Sequence, residues 1–223
     1  MPPPPTPAWI PIGGGGLAFT AGYVNAVGFT GALRHGVTHI TGQVTRVGIA
    51  MAAGDWTGVV HAASIVMWFF CGAVLSGALI RRPELSARRR RYSAVMAVEA
   101  AILAFAGWRI ACGDLWADNL VAMAAGLQNA MATSYSGAVV RTTHMSGIAT
   151  DLGILVGQSL RGEPVPWQRV GLLTVLFAGF LVGGMIGALL YPILGGWALA
   201  PPSVGLALAS LGTYWATHRA TEA

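Results

Sequence analysis

Residues 170–191 form a run of 22 with no charged side chain, and residues 59–80 form a second run of 22 whose one charge-capable group is His61. At ~1.5 Å rise per residue each reaches about 33 Å as helix, enough to cross a ~30 Å hydrocarbon layer. Two such runs in 223 residues constrain the fold more than any motif does. Composition agrees: 55% of the chain is apolar and 9% charged, where a soluble domain has roughly 25% charged. Mean hydropathy is +0.63. These figures exclude an ordinary soluble globule, a disordered chain and a secreted disulfide scaffold. They predict a chain whose solvent is a bilayer.

Four further spans are expected: 17–33, 92–112 with Glu99 inside and Arg109 near its end, 119–140, and 204–217, which Pro201 and Pro202 can start. Trp56, Trp108, Trp116, Trp167, Trp197 and Trp215 fall near run ends, where indoles favour the headgroup level. Residues 1–16 are expected to be a flexible tail without the basic residues of a signal peptide. Gly13–Gly16 lack a phosphate-loop ending and read as a hinge. The net charge of +5 is carried by arginine alone, since the chain has no lysine. Six arginines, Arg81, Arg82 and Arg88 to Arg91, crowd one stretch. That is the pattern of a cytoplasmic loop facing anionic headgroups rather than of a nucleic-acid interface. Cys71 and Cys112 have no metal or redox spacing and read as small hydrophobes.

Two short segments, 41–54 and 146–158, are too short for full crossings and carry a charge each, Arg46 and Asp151. They read as half-helices or re-entrant segments. They also match: Thr38-His39-Ile40-Thr41-Gly42 parallels Thr143-His144-Met145-Ser146-Gly147, and Gly22-Tyr23-Val24-Asn25-Ala26 parallels Gly126-Leu127-Gln128-Asn129-Ala130. Gly77-Ala78-Leu79-Ile80 pairs with Gly187-Ala188-Leu189-Leu190 downstream. A duplicated unit is expected, with repeat 1 at 17–112, repeat 2 at 113–217 and a tail at 218–223. Inverted repeats put the Arg81–Arg91 stretch, Arg141, Arg161, Arg169 and Arg219 on one side, against Arg34, Arg46 and Arg109. Parallel repeats separate the arginines less well, so the inverted form with six crossings is favoured over eight.

These paired motifs, together with Thr41-Gly42-Gln43-Val44-Thr45 and Thr150-Asp151-Leu152-Gly153, resemble the YoaK family of bacterial inner-membrane proteins over nearly the whole chain. The resemblance implies a polytopic inner-membrane protein of about six helices that moves small molecules. The chain departs from the family pattern at Gln43, where Asn is usual, at Ser146, where Thr is usual, and at Arg46.

The expected fold is therefore an all-α transmembrane helix bundle of two internal repeats, with about six crossings plus two short segments. Pseudo-symmetry would bring Arg46 and Asp151 together near the midplane, as a gate, a coupling pair or a structural staple between repeats; an unpaired charge there costs about 2.5–3.5 kcal/mol on insertion scales. Thr41, Thr45, Ser146 and Thr150, with Asn25, Gln43, Gln128 and Asn129 nearby, either satisfy backbone or bind a polar or anionic solute at broken-helix N-termini. Glu99 and Asp151 are candidate proton-coupling groups, and Glu99 could equally pair with an arginine. His39 and His144 could relay protons or hold a metal or haem, and read more simply as turn or cap residues. Gly179, Gly183 and Gly187, and Ala73 with Gly77, read as packing stripes within the chain or between copies in a homo-oligomer. No catalytic, phosphate-loop or dinucleotide motif occurs, so neither an enzyme nor a cofactor or metal is expected. The expected function is secondary transport or facilitated passage of a small polar or anionic solute. The alternatives are a non-transporting assembly or sensor protein and, less favoured, a membrane enzyme or haem protein.

Overall fold

A computed structural model describes residues 9–31, 36, 38–80, 85–114, 116–136 and 142–222, with side chains left aside at 9, 85–90, 135–136 and 219–222. The order is α1 (Trp9–Thr30), α2 (Ile40–Ala53), α3 (Trp56–Leu79), α4 (Leu85–Ala111), α5 (Ala117–Ser136), α6 (Met145–Leu160), α7 (Trp167–Leu194), a 3₁₀ turn (Gly195–Leu199) and α8 (Ala200–Glu222). Three helical segments are long and apolar enough to cross a membrane: Trp56–Leu79, Arg91–Ala111 and Trp167–His218. The last runs through α7 and α8. Pro192 withholds an N–H from the end of α7. Gly195 then takes φ 55°, ψ −132°, a backbone region open to glycine. Pro201 and Pro202 sit in the first turn of α8, where a missing N–H costs nothing.

The bundle is greasy outside, and its apolar interior also holds buried polar groups. Phe70, Leu181, Met185, Leu189 and Leu208 are exposed, while Asn25, Gln43, Glu99, Asp118 and Gln128 are buried. In water this distribution would be unstable; in lipid it is the expected one. All six tryptophans at the run ends are exposed, as headgroup-level indoles should be.

Packing is organised around two closely contacting pairs. α1 lies on α7, and α3 lies on α5. Both contacts bring backbone against backbone through glycine. A Cβ on Gly22 would strike the carbonyl of Phe180, and one on Gly183 the carbonyl of Phe19. In the other pair a Cβ on Gly126 would strike the carbonyl of Phe69, and one on Gly72 the carbonyl of Met123. The stripe Gly179, Gly183 and Gly187 is thus spent within the chain, against Gly15, Phe19 and Tyr23 of α1. Gly77 meets nothing within 4 Å.

The run Gly13–Gly16 is helical, not a hinge. Glycine lowers helix propensity by about 1 kcal/mol per residue. Here close approach offsets it: a Cβ on Gly179 would lie 2.8 Å from the Gly15 carbonyl oxygen. The expected tail thus shrinks to residues 1–8, which lie outside the described residues. Two other boundaries also move. Residues 85–91 open α4, so Arg88 to Arg91 are helical rather than in a loop, while Arg81 and Arg82 lie outside the described residues. α8 runs on through the expected C-terminal tail to Glu222. Residues 137–140 of the expected span 119–140 lie outside the described residues.

α4 and α8 pair separately and antiparallel. Ser93 Oγ donates to the Ser210 carbonyl and Ser210 Oγ to the Ser93 carbonyl, both at 2.8 Å. At the other end Gly107 meets Gly196. In the turn between α4 and α5, Asp114 accepts from the Trp116 backbone N–H at 3.0 Å and from Arg109 Nε at 2.8 Å. The Trp116 N–H foremost, and Arg109 after it, hold the Asp114 carboxyl below the usual range. A depressed folded value stabilises above the unfolded pKa and is lost as pH falls through the folded one. Asp114→Asn is therefore expected to lower the melting temperature slightly at neutral pH and to leave it less dependent on pH below about pH 4.

Candidate functional site

The polar centre of the first half is built where α1 ends and α2 begins. Asn25 Oδ1 accepts from Thr38 Oγ1 at 2.7 Å and from its backbone N–H at 3.4 Å. Gln43 Nε2 donates to the Gly36 carbonyl at 3.1 Å. Asn25, Thr38 and Gln43 are all buried, so the turn into α2 is fixed from inside by side chains.

α2 starts at a bare N-terminus. His39 occupies the N-cap position but makes no side-chain cap bond. The first-turn amides and the positive end of the helix dipole are thus not answered by a capping side chain. Gln43 and Arg46 stand three apart, on one face of the helix. Gln43 Oε1 and Arg46 Nη1 are both buried and neither has a hydrogen-bond partner. An acceptor and a guanidinium donor one turn apart, in a helix whose N-terminus is uncapped, thus keep capacity unspent, a combination suited to an anion carrying a hydrogen-bond donor.

The twin segment repeats the geometry and not the chemistry. His144 is the N-cap of α6, again without a side-chain bond, at φ −91° and ψ 58° beside −92° and 72° for His39. Two turns on, however, Asp151 Oδ2 accepts from Arg169 Nη2 at 2.8 Å, on an exposed surface. The expected Arg46–Asp151 pair does not form. α2 packs on α3 and α6 on α7, and no contact joins α2 to α6 among the described residues. Asp151→Asn is expected to cost under about 0.5 kcal/mol in a denaturation series, because both partners are solvated. A larger loss would put that pair in oil.

The hydroxyl set also divides. Thr45 Oγ1 donates back to the Thr41 carbonyl and Thr150 Oγ1 to the Ser146 carbonyl, at 3.0 and 2.9 Å. All four residues are exposed, and they line no common space. Gln128 is buried on α5 and its Nε2 reaches the Leu17 carbonyl of α1 at 3.3 Å. Asn129 Oδ1 and Thr142 Oγ1 are buried without a partner. Glu99 is 2% exposed within α4, and its Oε2 has no partner. His39 and His144 head helices that do not touch, and no three His, Cys, Asp or Glu side chains among the described residues gather as metal ligands. His35 lies outside the described residues. Cys71 and Cys112 are both free thiols.

A second polar knot escaped the sequence reading. His61 Nε2 of α3 lies 2.7 Å from Asp118 Oδ2 of α5, and Ser64 Oγ donates to Asn119 Oδ1 at 2.9 Å. The Trp116 ring stands edge-on to His61 at 5.5 Å. Asp118 has no exposed surface. The signal was present: His61 and Ser64 share a face of an otherwise apolar run, and Asp118-Asn119 open another.

Comparison places the chain in a family. No curated protein and no solved structure gives a match. Residues 14–212 match a family described as protein of unknown function DUF1275; the chain belongs to that family.

Proposed function

We propose that this DUF1275 protein is a multi-pass inner-membrane carrier or facilitator for a small anionic or polar solute, bound at the start of α2. The observation that carries the reading is the buried, unspent hydrogen-bonding capacity of Gln43 and Arg46 beside an uncapped helix N-terminus. The YoaK resemblance supports the inner membrane. The architecture in this reading is two inverted repeats, with α1, α3, α4, α5, α7 and α8 crossing and α2 and α6 as short segments. Support comes from the exchange of partners: Gly22 on Phe180 and Phe19 on Gly183 in one pair, Gly126 on Phe69 and Met123 on Gly72 in the other. Residues 104 apart trade places in α1 and α5, and residues 111 apart in α3 and α7, so a two-fold relation between the halves accounts for both contacts. Glu99 serves as the proton-exchange group; Asp151 is tied to Arg169 at the surface and is a structural partner.

The test is flux into liposomes holding the purified chain, measured with labelled phosphate, sulfate and short carboxylates. Saturable uptake of one of them is expected, falling at least tenfold in Arg46→Gln. The melting temperature of that variant should hardly change, since Arg46 Nη1 makes no bond to lose. No uptake of any solute by the wild type overturns the reading.

One observation favours a second reading. α2 and α6 share no contact, and a carrier built on their meeting would need one. A non-transporting assembly or sensor protein needs none. In that case the chain co-purifies with one stoichiometric partner, and Arg46→Gln releases the partner rather than a flux.

A further inference from the structure

We infer that the site at the start of α2 selects a small oxyanion that still carries a hydroxyl proton, hydrogen phosphate or bicarbonate, over one that carries none. The inference rests on the reading of Gln43 and Arg46 as a solute site and adds which anion that site takes. It turns on the orientation of one amide. The Gly36 carbonyl can only accept, so Gln43 must present its NH2 there, and Nε2 donates to it at 3.1 Å. The amide is thereby fixed in place and in sense, and Oε1, which can only accept, is the atom left over. Gln43 is 2% exposed and Oε1 has no partner. A buried acceptor in that state calls for a donor.

Gly36 precedes the N-cap residue His39, so the same bond holds the Gln43 amide at the N-terminal end of α2. Arg46 follows one turn on along the same face, and helical side chains cover the turn before their own Cα. Its Nη1 is buried and unpartnered as well. Donor and acceptor thus lie a turn apart and do not satisfy each other. Nor is the positive charge answered nearby. Among the described elements α2 packs on α3 alone, and neither helix, nor α1 before them, holds an acidic residue. Asp55 lies beyond the far end of α2 and caps α3 through the Gly58 N–H. An anion answers the guanidinium and the uncapped first-turn amides. Only an anion with its own O–H also answers Gln43 Oε1. Hydrogen phosphate matches sulfate in shape and charge, and bicarbonate matches nitrate; in each pair the first adds the O–H that the second lacks. The twin segment has neither group: by the paired motifs Ile148 stands for Gln43 and Asp151 for Arg46. One anion per chain follows.

Equilibrium dialysis of the purified full chain in detergent at neutral pH, with labelled phosphate or labelled sulfate, tests this. One phosphate per chain is expected, with sulfate bound roughly ten- to a hundredfold more weakly, the effect of leaving a buried acceptor unpaired. Unlabelled bicarbonate should displace phosphate at lower concentration than nitrate does. Gln43→Met keeps the side-chain length and removes the acceptor, so the ratio of phosphate to sulfate affinity should fall to near one. Arg46→Gln should lose both anions. Equal binding of phosphate and sulfate by the wild type, removed by Arg46→Gln, overturns the selection and leaves the solute site standing. A phosphate preference that survives in Gln43→Met overturns the role of Oε1. Binding of neither anion overturns the inference together with the site. If Gln43→Met does not fold, the wild-type comparison of each matched pair decides alone, and nitrate competing as well as bicarbonate overturns the selection.

Discussion

Gly22→Ala and Gly126→Ala are each expected to cost roughly 3 kcal/mol, near the upper end of overpacking, and to lower the melting temperature by roughly 6–12 °C. The added methyl in Gly22→Ala falls on the carbonyl of Phe180, and in Gly126→Ala on that of Phe69. Neither obstacle is a side-chain end that can rotate away, so whole helices must part. The control is Gly48→Ala, at a helical position with nothing within 4 Å. There alanine should be neutral or stabilising by up to about 1 kcal/mol, since it is the better helix former. If Gly22→Ala melts with the wild type, α1 and α7 do not meet through their backbones. Matching losses at Gly22 and Gly126, against no loss at Gly48, would support a two-fold relation between the halves.

Removing His61 should be nearly as damaging. Asp118 is fully buried and its carboxylate lies 2.7 Å from the imidazole. Hydrogen bonds to charged groups contribute about 1.5–3 kcal/mol. His61→Ala is expected to cost about 2 kcal/mol. Asp118→Asn should soften that loss, because a neutral amide tolerates the vacated place better. The double-mutant cycle should give a coupling of at least about 1 kcal/mol. Coupling near zero would mean that the contact does not hold α3 to α5. The Asp151–Arg169 pair provides the contrast, a carboxylate at a similar 2.8 Å from its partner nitrogen but with both side chains exposed.

The spans were readable because hydrocarbon imposes one rule on every residue that faces it. Runs 59–80 and 170–191 became α3 and α7 within three residues at each end. The two short segments became α2 and α6, each headed by the histidine that the motif placed there. Local propensity misled where tertiary contact decided. Four glycines read as a hinge because glycine weakens an isolated helix, yet α7 needs Gly15 bare to come close. The arginines read as loop because charge leaves the membrane, but a helix can leave with it, and α4 starts outside. Arg46 and Asp151 were joined by analogy of position. Equivalent positions in two repeats meet only if they lie near the relating axis, and nothing in a sequence locates that axis. Asp151 instead meets Arg169, eighteen residues on, across the turn between α6 and α7. Glu99 was placed correctly by its span, whereas Asp118 was overlooked because acid at a span end looks like ordinary surface.

The reciprocal serine bonds of α4 and α8 have a mechanical meaning. Each hydroxyl grips the other strand's carbonyl, so sliding by one turn breaks both bonds at once, with no water at hand to replace them. These two rods therefore shift as one piece. The seams between α1 and α7 and between α3 and α5 are glycine against carbonyl over most of their closest approach, smooth where the serine seam is notched. If the molecule changes shape within the bilayer, the glide planes are those two, and the latched rods are the frame against which they run.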